Sequence, residues 1–296
     1  MLGNEAIARG AYEAGVRVSS AYPGTPSTEI NENVATYPEI YSEWAPNEKV
    51  AVEVALGAAV SGARSLACMK HVGLNVAADP FFTATYTGVN AGMVVVVADD
   101  PGMHSSQNEQ DTRMLARASH APVLDPSNSQ ECKDFLKLAY EISEKYDTPV
   151  ILRVTTRIAH ARTLVELDER VEVPLREYKR DVKKYVSMPA NMIARHLYVE
   201  EREKKLAEDA NTLPINRIEW ADRKIGVITS GAAYNYVKEA MPTASVLKLG
   251  LAYPMPRKLI EEFAAGVDTL YVIEDMVGSI ADSRPIRKLP FSPAVS

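Results

Sequence analysis

Near the start of the chain a turn reads Tyr22-Pro23-Gly24-Thr25-Pro26-Ser27-Thr28. The apolar run before it, from Val16 to Ala21, predicts a short strand, and a helical pattern follows the turn. We expect Thr25 to be the N-cap of that helix, with Pro26 at the first helical position, where a missing N–H costs nothing. Open α/β sheets bind ligands at such junctions through exposed N–H groups. Taken alone, the turn is better explained as a simple N-cap.

A second motif follows, Trp44-Ala45-Pro46-Asn47-Glu48. Tyr41 to Trp44 predicts a strand, Asn47 is the expected N-cap, and Glu48 to Ser61 predicts a helix of small residues. A helix this rich in Ala, Val and Gly must pack closely against its neighbours. Each motif is common by itself, but the two in this order are not.

Glu48 is the residue of this helix for which we predict a chemical role, as a group that holds or shares a proton. A Glu in the first helical turn is also favoured by the helix dipole, so a structural role is the alternative. Glu53 projects about 140° away from Glu48 and can pair with Lys49, which makes it a structural charge. Glu48 instead precedes the apolar run Val50-Ala51-Val52. Apolar surroundings suit a carboxyl group that holds or shares a proton.

Strand-like and helix-like segments alternate through the first half of the chain. This alternation predicts an α/β fold with an open, mostly parallel sheet of roughly six strands. Met93 to Ala98, with four consecutive valines, predicts a strand buried on both faces. A smaller βαβ unit is expected to start at Ile225. The expected division is a first domain at residues 1–160, a charged connector at 161–222, a smaller domain at 223–281 and a Pro-rich tail at 282–296.

The composition predicts a soluble, cytoplasmic protein. Of the 296 residues, 46% are hydrophobic and 24% charged, and no apolar run approaches the ~18 residues of a membrane span. The first residues lack the basic and apolar regions of a leader peptide, which favours the cytoplasm. A net charge of -6 argues against a nucleic-acid partner. Cys68 and Cys132 are far apart, so zinc or iron–sulfur spacing is absent and no metal ligands are expected.

Several segments carry a family resemblance. The chain resembles the N-terminal part of the α subunit of indolepyruvate ferredoxin oxidoreductases, within the thiamine-dependent 2-oxoacid:ferredoxin oxidoreductase family. The resemblance implies a pyrimidine-binding domain of the thiamine diphosphate type, followed by a smaller domain like the C-terminal domain of transketolase. It extends to about Glu274. The matching segments are residues 3–11, 22–29, 44–59, 69–75, 99–113 and 226–237.

The resemblance also implies roles for individual residues. Glu48 would hydrogen-bond the N1′ nitrogen of the cofactor's aminopyrimidine and help to activate the cofactor. Thr25 would act beside the substrate carboxylate. The segment of His104 would lie near the cofactor and substrate, although a loop His usually faces solvent. Independently of the resemblance, Arg113 or Arg117 could meet the substrate carboxylate, although a helical Arg usually lies on the surface. The residues expected to bind the cofactor are Tyr22, Pro23, Gly24, Glu48, His71 and Asn75.

The implied activity is oxidative decarboxylation of an aryl pyruvate, such as indolepyruvate, to the acyl-CoA with reduction of ferredoxin. Coenzyme A would be the co-substrate. The sequence has no Gly-Asp-Gly turn with a downstream Asn and no Cys-rich segment. The diphosphate, its Mg²⁺ and the 4Fe-4S clusters are therefore expected on a missing or partner segment. The implied partners are this diphosphate-binding segment, a β subunit and ferredoxin in an oligomer, and the isolated chain is expected to be inactive.

Two alternatives stay open. The chain could be the α subunit of a pyruvate or 2-oxoglutarate ferredoxin oxidoreductase, because those α chains naturally lack the diphosphate domain. It could also be a non-catalytic, truncated remnant that serves in assembly. Residues 22–29 and 99–113 look more like the indolepyruvate type, and the retained Glu48 gives no support to the remnant.

Overall fold

A computed structural model describes residues 1–283 and Ile286 of the chain. The first part alternates strands and helices, as predicted. The strand and the helix predicted around the second motif are both confirmed. Asn47 Oδ1 caps the helix by accepting a hydrogen bond from the Val50 N–H at 3.0 Å. The elements in chain order are α1 (Gly3–Glu13), β1 (Val18–Ala21), α2 (Thr28–Val34), β2 (Tyr41–Trp44), α3 (Glu48–Val60), β3 (Ser65–Lys70), α4 (His71–Val76), α5 (Ala78–Thr87), β4 (Met93–Asp99), α6 (Thr112–Ser119), β5 (Val123–Leu124), α7 (Ser129–Tyr146), β6 (Val150–Thr155) and α8 (Thr156–His160).

The second part begins with a long extended segment and then forms a smaller α/β unit. Its longest helix, Pro189–Asp209, lies within the segment expected to be a charged connector. The elements are α9 (Val182–Tyr185), α10 (Pro189–Asp209), β7 (Arg217–Glu219), β8 (Asp222–Ser230), α11 (Gly231–Ala240), β9 (Ala244–Leu249), β10 (Leu251–Tyr253), α12 (Arg257–Ala265) and β11 (Thr269–Ile273).

The main sheet has seven strands in the order β10-β5-β6-β4-β3-β1-β2. The six strands of the first part are parallel, which confirms the mostly parallel sheet. All residues of β4 are buried because apolar clusters cover both faces of the sheet. The seventh strand, β10, comes from the second part and runs antiparallel to β5. The sequence patterns did not predict this strand.

The smaller sheet has the order β11-β8-β9-β7. Strands β8, β9 and β11 are parallel and are joined through α11 and α12, so the second βαβ unit is confirmed. Strand β7 is antiparallel to β9 and lies within the segment expected to be connector. The proposed division into domains stays a prediction. The expected tail lies outside the described residues, except for residues 282, 283 and 286.

The turn at residues 22–27 differs from its predicted conformation. Helix α2 begins at Thr28 with Ser27 at the N-cap, so the prediction that Thr25 caps this helix is wrong. The peptide bond between Thr25 and Pro26 is cis. The Ser27 N–H and hydroxyl both donate to the Gly24 carbonyl, and the Gly24 N–H donates to Thr28 Oγ1. These bonds close the turn on itself, and the helix starts two residues later than expected.

Two helices follow β3 in direct succession. Helix α4 begins directly after β3, at His71, and α5 follows it after Ala77. His71 is therefore the first residue of a helix, directly after β3. No helix within residues 1–283 has the length and hydropathy that a bilayer span requires.

Candidate functional site

The carboxyl ends of the parallel strands form one edge of the main sheet. Ala21 at the end of β1 pairs with Trp44 at the end of β2 and with Cys68 near the end of β3. The turn after β1, the start of α3 and the start of α4 therefore meet at this edge. Open α/β sheets bind ligands there because loops and helix N-termini converge. Tertiary structure thus brings the two sequence motifs together.

Glu48 is the first residue of α3 and is mostly buried. The residue is 9% exposed, and no hydrogen bond or ion pair within the described chain engages its side chain. The carboxyl group lies on the backbone of α4, because a Cβ built on Gly73 would be 2.6 Å from Glu48 Oε1. Its oxygens still contact solvent, because neither is among the buried side-chain oxygens that lack a hydrogen-bond partner. The two oxygens are thus available to a donor on a ligand.

The turn residues predicted to meet cofactor or substrate line the open side of this edge. Tyr22, Pro23 and Thr25 are exposed, whereas Gly24 is half-buried. A Cβ built on Gly24 would lie 3.1 Å from Lys70 Cβ, so the turn passes closely over the end of β3. The absence of a side chain at Gly24 permits this approach.

Lys70 lies beneath the turn and was not singled out from the sequence. It is the last residue of β3, is 7% exposed, and donates a hydrogen bond to the Ser105 carbonyl at 2.5 Å. It therefore ties the strand to the loop that follows β4. A cation at the end of an otherwise apolar strand was the available signal in the sequence.

His71 and Asn75 line a cavity of about 290 Å³ between α4 and the start of α6. His71 Nε2 lies 3.2 Å from the Asn108 carbonyl, and Nδ1 is buried with no hydrogen-bond partner among the described residues. Asn75 Nδ2 donates to Gln110 Oε1. Both predicted residues thus hold the loop after β4 and retain polar atoms next to the cavity.

The loop after β4, residues 100–111, is anchored by Asp100. Its carboxylate accepts hydrogen bonds from Ser105 N–H at 2.8 Å, Ser106 Oγ at 2.6 Å and Thr156 Oγ1 at 2.7 Å. Burial acts to raise the pKa of Asp100, but these bonds outweigh it and lower the pKa to about 2. His104 is exposed on the outer part of this loop. The loop is therefore fixed at its base and presents His104 to solvent.

Arg113, in the first turn of α6, is buried. It therefore does not lie on the helix surface, which was the alternative to a contact with substrate. Its guanidinium pairs with Asp111 at 2.6 Å and with Glu274 at 2.8 Å, and it donates to the Asp275 carbonyl at 2.6 Å. Burial raises the pKa of Glu274 in spite of this pairing. All three guanidinium nitrogens are engaged within the protein, Nη1 by a single hydrogen bond, and a contact of Arg113 with a substrate carboxylate stays a prediction.

A second buried arginine extends this network into the sheet. Arg153 on β6 pairs with Asp99 at 2.7 Å and with Asp125 at 3.1 Å. Asp125 also accepts a hydrogen bond from Ser230 Oγ, at 2.8 Å. Burial raises the pKa of Asp99, although Arg153 and Thr112 act in the opposite direction. The network joins the end of β4 to the smaller unit, because Ser230 ends β8.

The residues at this edge suit an aminopyrimidine. Such a ring presents donors and acceptors along one side, and the carboxylate of Glu48 is the unpartnered group that can meet a ring nitrogen. The Gly24 and Gly73 backbones leave room beside it, since a Cβ at either position would press on Lys70 or Glu48. Fold and site together define an α/β chain of the class that holds the pyrimidine half of thiamine diphosphate.

Sequence comparison narrows this class to one family. A family model described as "Pyruvate flavodoxin/ferredoxin oxidoreductase, thiamine diP-bdg" matches residues 9–216. The chain belongs to this family.

Curated relatives support this family assignment. The chain is 46% identical over 291 residues to indolepyruvate oxidoreductase subunit IorA of Pyrococcus horikoshii and 47% identical over 286 residues to the subunit of the same name from Methanothermobacter marburgensis. These matches cover 93% of the chain but only 45% and 46% of the relatives, so the chain spans about half their length. A more distant relative is 2-oxoglutarate synthase subunit KorA of Methanothermobacter thermautotrophicus, 31% identical over 58% of the chain and 48% of that relative.

Solved structures share the fold. A 2-oxoglutarate:ferredoxin oxidoreductase from Magnetococcus marinus, with 2-oxoglutarate, coenzyme A and succinyl-CoA bound, superposes with a TM-score of 0.81 at 20% identity. It covers 99% of this chain and 61% of its own. A split gene transketolase, an inactive β4 tetramer, superposes with a TM-score of 0.62 at 16% identity over 98% of this chain and 85% of its own. The predicted combination of a pyrimidine-type sheet with a smaller transketolase-like unit is confirmed.

Proposed function

We propose that the chain is the pyrimidine-binding part of the α subunit of a thiamine diphosphate-dependent 2-oxoacid:ferredoxin oxidoreductase of the indolepyruvate type. The reaction is oxidative decarboxylation of an aryl pyruvate to the acyl-CoA, with electrons passed to ferredoxin. The observation that carries the proposal is the unpartnered carboxylate of Glu48, held against Gly73 at the sheet edge. The names of two curated relatives supply the substrate class.

The residues at this edge of the sheet have different roles. Glu48 holds a proton at the pyrimidine ring nitrogen, and the turn at residues 22–27 covers one side of the ring. Thr25 lies exposed on that turn and meets the substrate, while His71 and Asn75 border the ring. When bound, thiamine diphosphate supplies a nucleophilic carbon that makes a 2-oxo acid lose CO₂ and then releases electrons.

The other half of the site comes from a partner segment. Within the described residues no cluster of His, Cys, Asp or Glu could hold a metal ion, and a diphosphate group needs a divalent cation with oxygen ligands. The curated relatives are about twice as long as this chain. The diphosphate with its Mg²⁺, the 4Fe-4S clusters, the β subunit and ferredoxin therefore belong to the assembled enzyme.

Calorimetric titration tests the proposal. The chain alone is expected to bind thiamine diphosphate and Mg²⁺ weakly, because it contributes only the pyrimidine contacts. Addition of a diphosphate-binding segment should produce tight binding, and the complex should turn over aryl pyruvates faster than pyruvate or 2-oxoglutarate. Tight binding by the isolated chain would refute the need for a partner. A complex that binds no thiamine diphosphate would refute the cofactor itself.

Gly73→Ala is expected to weaken cofactor binding without loss of stability. The new methyl group would meet Glu48 Oε1 and Cγ at 2.6 and 2.7 Å. The flexible end of the Glu48 side chain would therefore move away from the place where it meets the pyrimidine ring. Loss of one charged hydrogen bond lowers affinity by about 10- to 100-fold. The melting temperature should stay equal or rise, because Ala is the better helix former by about 1 kcal/mol.

Gly57→Ala is the matched control for this substitution. Gly57 lies in the neighbouring helix α3, and a Cβ there has no atom within 4 Å. It should keep full cofactor affinity and gain the same helical stability. Equal affinities of the two variants in the assembled complex would contradict a role for the Glu48 position.

A further inference from the structure

Lys70, at the carboxyl end of β3, is a cation that no acidic group of the described chain binds directly. It is 7% exposed, and Nζ donates a hydrogen bond to the Ser105 carbonyl at 2.5 Å. Within the described residues it forms no ion pair. A lysine ammonium carries three N–H groups, and the Ser105 carbonyl takes up one of them. A largely buried cation with one neutral acceptor is therefore left with N–H groups for an anion from outside the chain.

Other arginines and lysines near this edge of the sheet are engaged or exposed. Arg113 and Arg153 are bound by buried carboxylates, and Lys49 pairs with a carboxylate of α5 at 3.0 Å. Arg157, at the start of α8, is exposed. Among these residues, Lys70 is the one that combines burial with unused N–H groups.

The side chain of Lys70 passes beneath the turn that carries Thr25. A Cβ built on Gly24 would lie 3.1 Å from Lys70 Cβ and 3.8 Å from Lys70 Cδ, so the stem runs under the residue that precedes Thr25. Thr25 and Ser105 are both exposed. Because Nζ bonds an exposed residue, the ammonium lies near the open side of the edge. Glu48 is close by, since it packs on the first turn of α4, which begins directly after Lys70.

Asp100 lies near this ammonium but does not occupy its N–H groups. The carboxylate of Asp100 instead accepts hydrogen bonds from Ser105, Ser106 and Thr156. Burial acts to raise the pKa of Asp100, but these hydrogen bonds, and after them the charge of Lys70, lower the pKa to about 2. The oxygens of this carboxylate are thus directed to other donors, and the ammonium stays open to a ligand.

We propose that Lys70 binds the carboxylate of the 2-oxo acid substrate, beneath Thr25. This inference rests on the proposed function, which supplies both the substrate and the cofactor. Two anionic groups enter such a site. The diphosphate needs a divalent cation with oxygen ligands and belongs to the partner segment, so the substrate carboxylate is the anion left for Lys70. A charge-assisted hydrogen bond from an ammonium to a carboxylate is stronger than a bond between neutral groups.

A cation in this place contributes to substrate binding more than to kcat. The carboxylate is the group that leaves as CO₂, so its negative charge decreases on the way to the transition state of decarboxylation. Lys70 therefore stabilises the bound substrate at least as much as that transition state. Loss of such a contact raises KM and leaves kcat unchanged or slightly higher. Lys70 is thus expected to select substrates with a carboxylate beside the 2-oxo group.

Steady-state kinetics of the assembled enzyme test the proposal with two probes, phenylpyruvate and its carboxamide. The carboxamide keeps the 2-oxo group and the ring but is neutral, and it serves as a competitive inhibitor. Lys70→Met is expected to raise KM for phenylpyruvate by about 10- to 100-fold, the range for a lost charged hydrogen bond. The Ki of the carboxamide, kcat and the Kd of thiamine diphosphate should stay close to the wild-type values.

Lys70→Gln is the second variant, because its amide is neutral but can still donate to the Ser105 carbonyl. It should raise KM for phenylpyruvate and spare the carboxamide in the same way, even where Lys70→Met fails to fold. Lys49→Met is the matched control. Lys49 is a partly exposed lysine beside Glu48 in the sequence, and its replacement should leave both probes unaffected.

The two probes separate a substrate contact from a merely structural role. Equal losses for phenylpyruvate and the carboxamide would mean that Lys70 only shapes the loop after β4, which overturns the proposal. So would a wild-type KM for phenylpyruvate in both Lys70 variants of an active enzyme, and the proposed function would then stand without this inference. A wild-type complex that binds no thiamine diphosphate overturns the proposed function and the inference together.

Discussion

Glu48→Gln is expected to lower kcat of the assembled enzyme by about 10²- to 10⁴-fold, the range that a positioned proton donor or acceptor contributes. Glutamine keeps the size of the side chain and can still occupy the space over Gly73, but its amide cannot hold or share a proton. Cofactor affinity should therefore fall less than kcat does. Steady-state turnover of an aryl pyruvate, together with titration of thiamine diphosphate, separates the two effects. The expectation rests on the proposed function.

Glu53→Gln is the matched control for this substitution. Glu53 lies on the same helix but is exposed, so its replacement should leave kcat and cofactor binding unchanged. Both variants should unfold at the wild-type temperature. Full activity of Glu48→Gln in a complex that binds thiamine diphosphate would mean that another group activates the cofactor.

Arg153→Met is expected to destabilise the fold by about 3–5 kcal/mol at neutral pH, the cost of leaving buried charges without their partner. Arg153 is fully enclosed and bonds two buried carboxylates, those of Asp99 and Asp125. Methionine fills much of the same volume, so the loss reflects charge more than a cavity. Urea unfolding at neutral pH measures the difference.

Arg157→Met is the control, because Arg157 lies four residues further along and is exposed. Its contact with the Tyr236 ring, at 5.8 Å, contributes on the order of 0.5–1 kcal/mol. The control should therefore lose far less stability than Arg153→Met. Equal losses would contradict the importance of the buried network.

The deficit of Arg153→Met should also depend on pH. Burial raises the folded-state pKa of Asp99 above its unfolded value, so this group adds stability below the unfolded pKa of about 4 and loses that contribution as pH rises through the folded pKa. Removal of Arg153 raises the folded pKa further. A protonated Asp99 needs no cation, so the deficit should shrink as the pH is lowered towards 4. A deficit that grows on acidification would contradict this account.

Most of the first part of the fold could be predicted from the sequence, because four of its six strands are fully buried and its turns carry local signals. The valine run of β4 and the Asn47 cap are such signals, and both are confirmed. Strand β10 could not be predicted. It has three residues, and its partner β5 lies more than a hundred residues away in the chain, so only tertiary structure determines the pairing.

The candidate site was predictable in its outline only. Glu48 and the turn at residues 22–27 follow strands that end at one edge, and parallel pairing brings them together. The engagement of Arg113 depends on Glu274 and Asp275, which no local pattern links to α6. Helix α2 likewise begins later than its local signals indicate, at Thr28. The roles assigned to the site residues stay predictions.

Strand β10 restricts how chains of this kind can be rearranged during evolution. It is contributed by the smaller unit but completes the main sheet, where Leu251 pairs with Leu124 and Tyr253 with Val123. A recombination that exchanged the smaller unit would strip this strand away and leave the backbone of β5 as a bare sheet edge, open to pairing with other chains. The two units are thus expected to be inherited together, and a replacement module would have to bring its own strand.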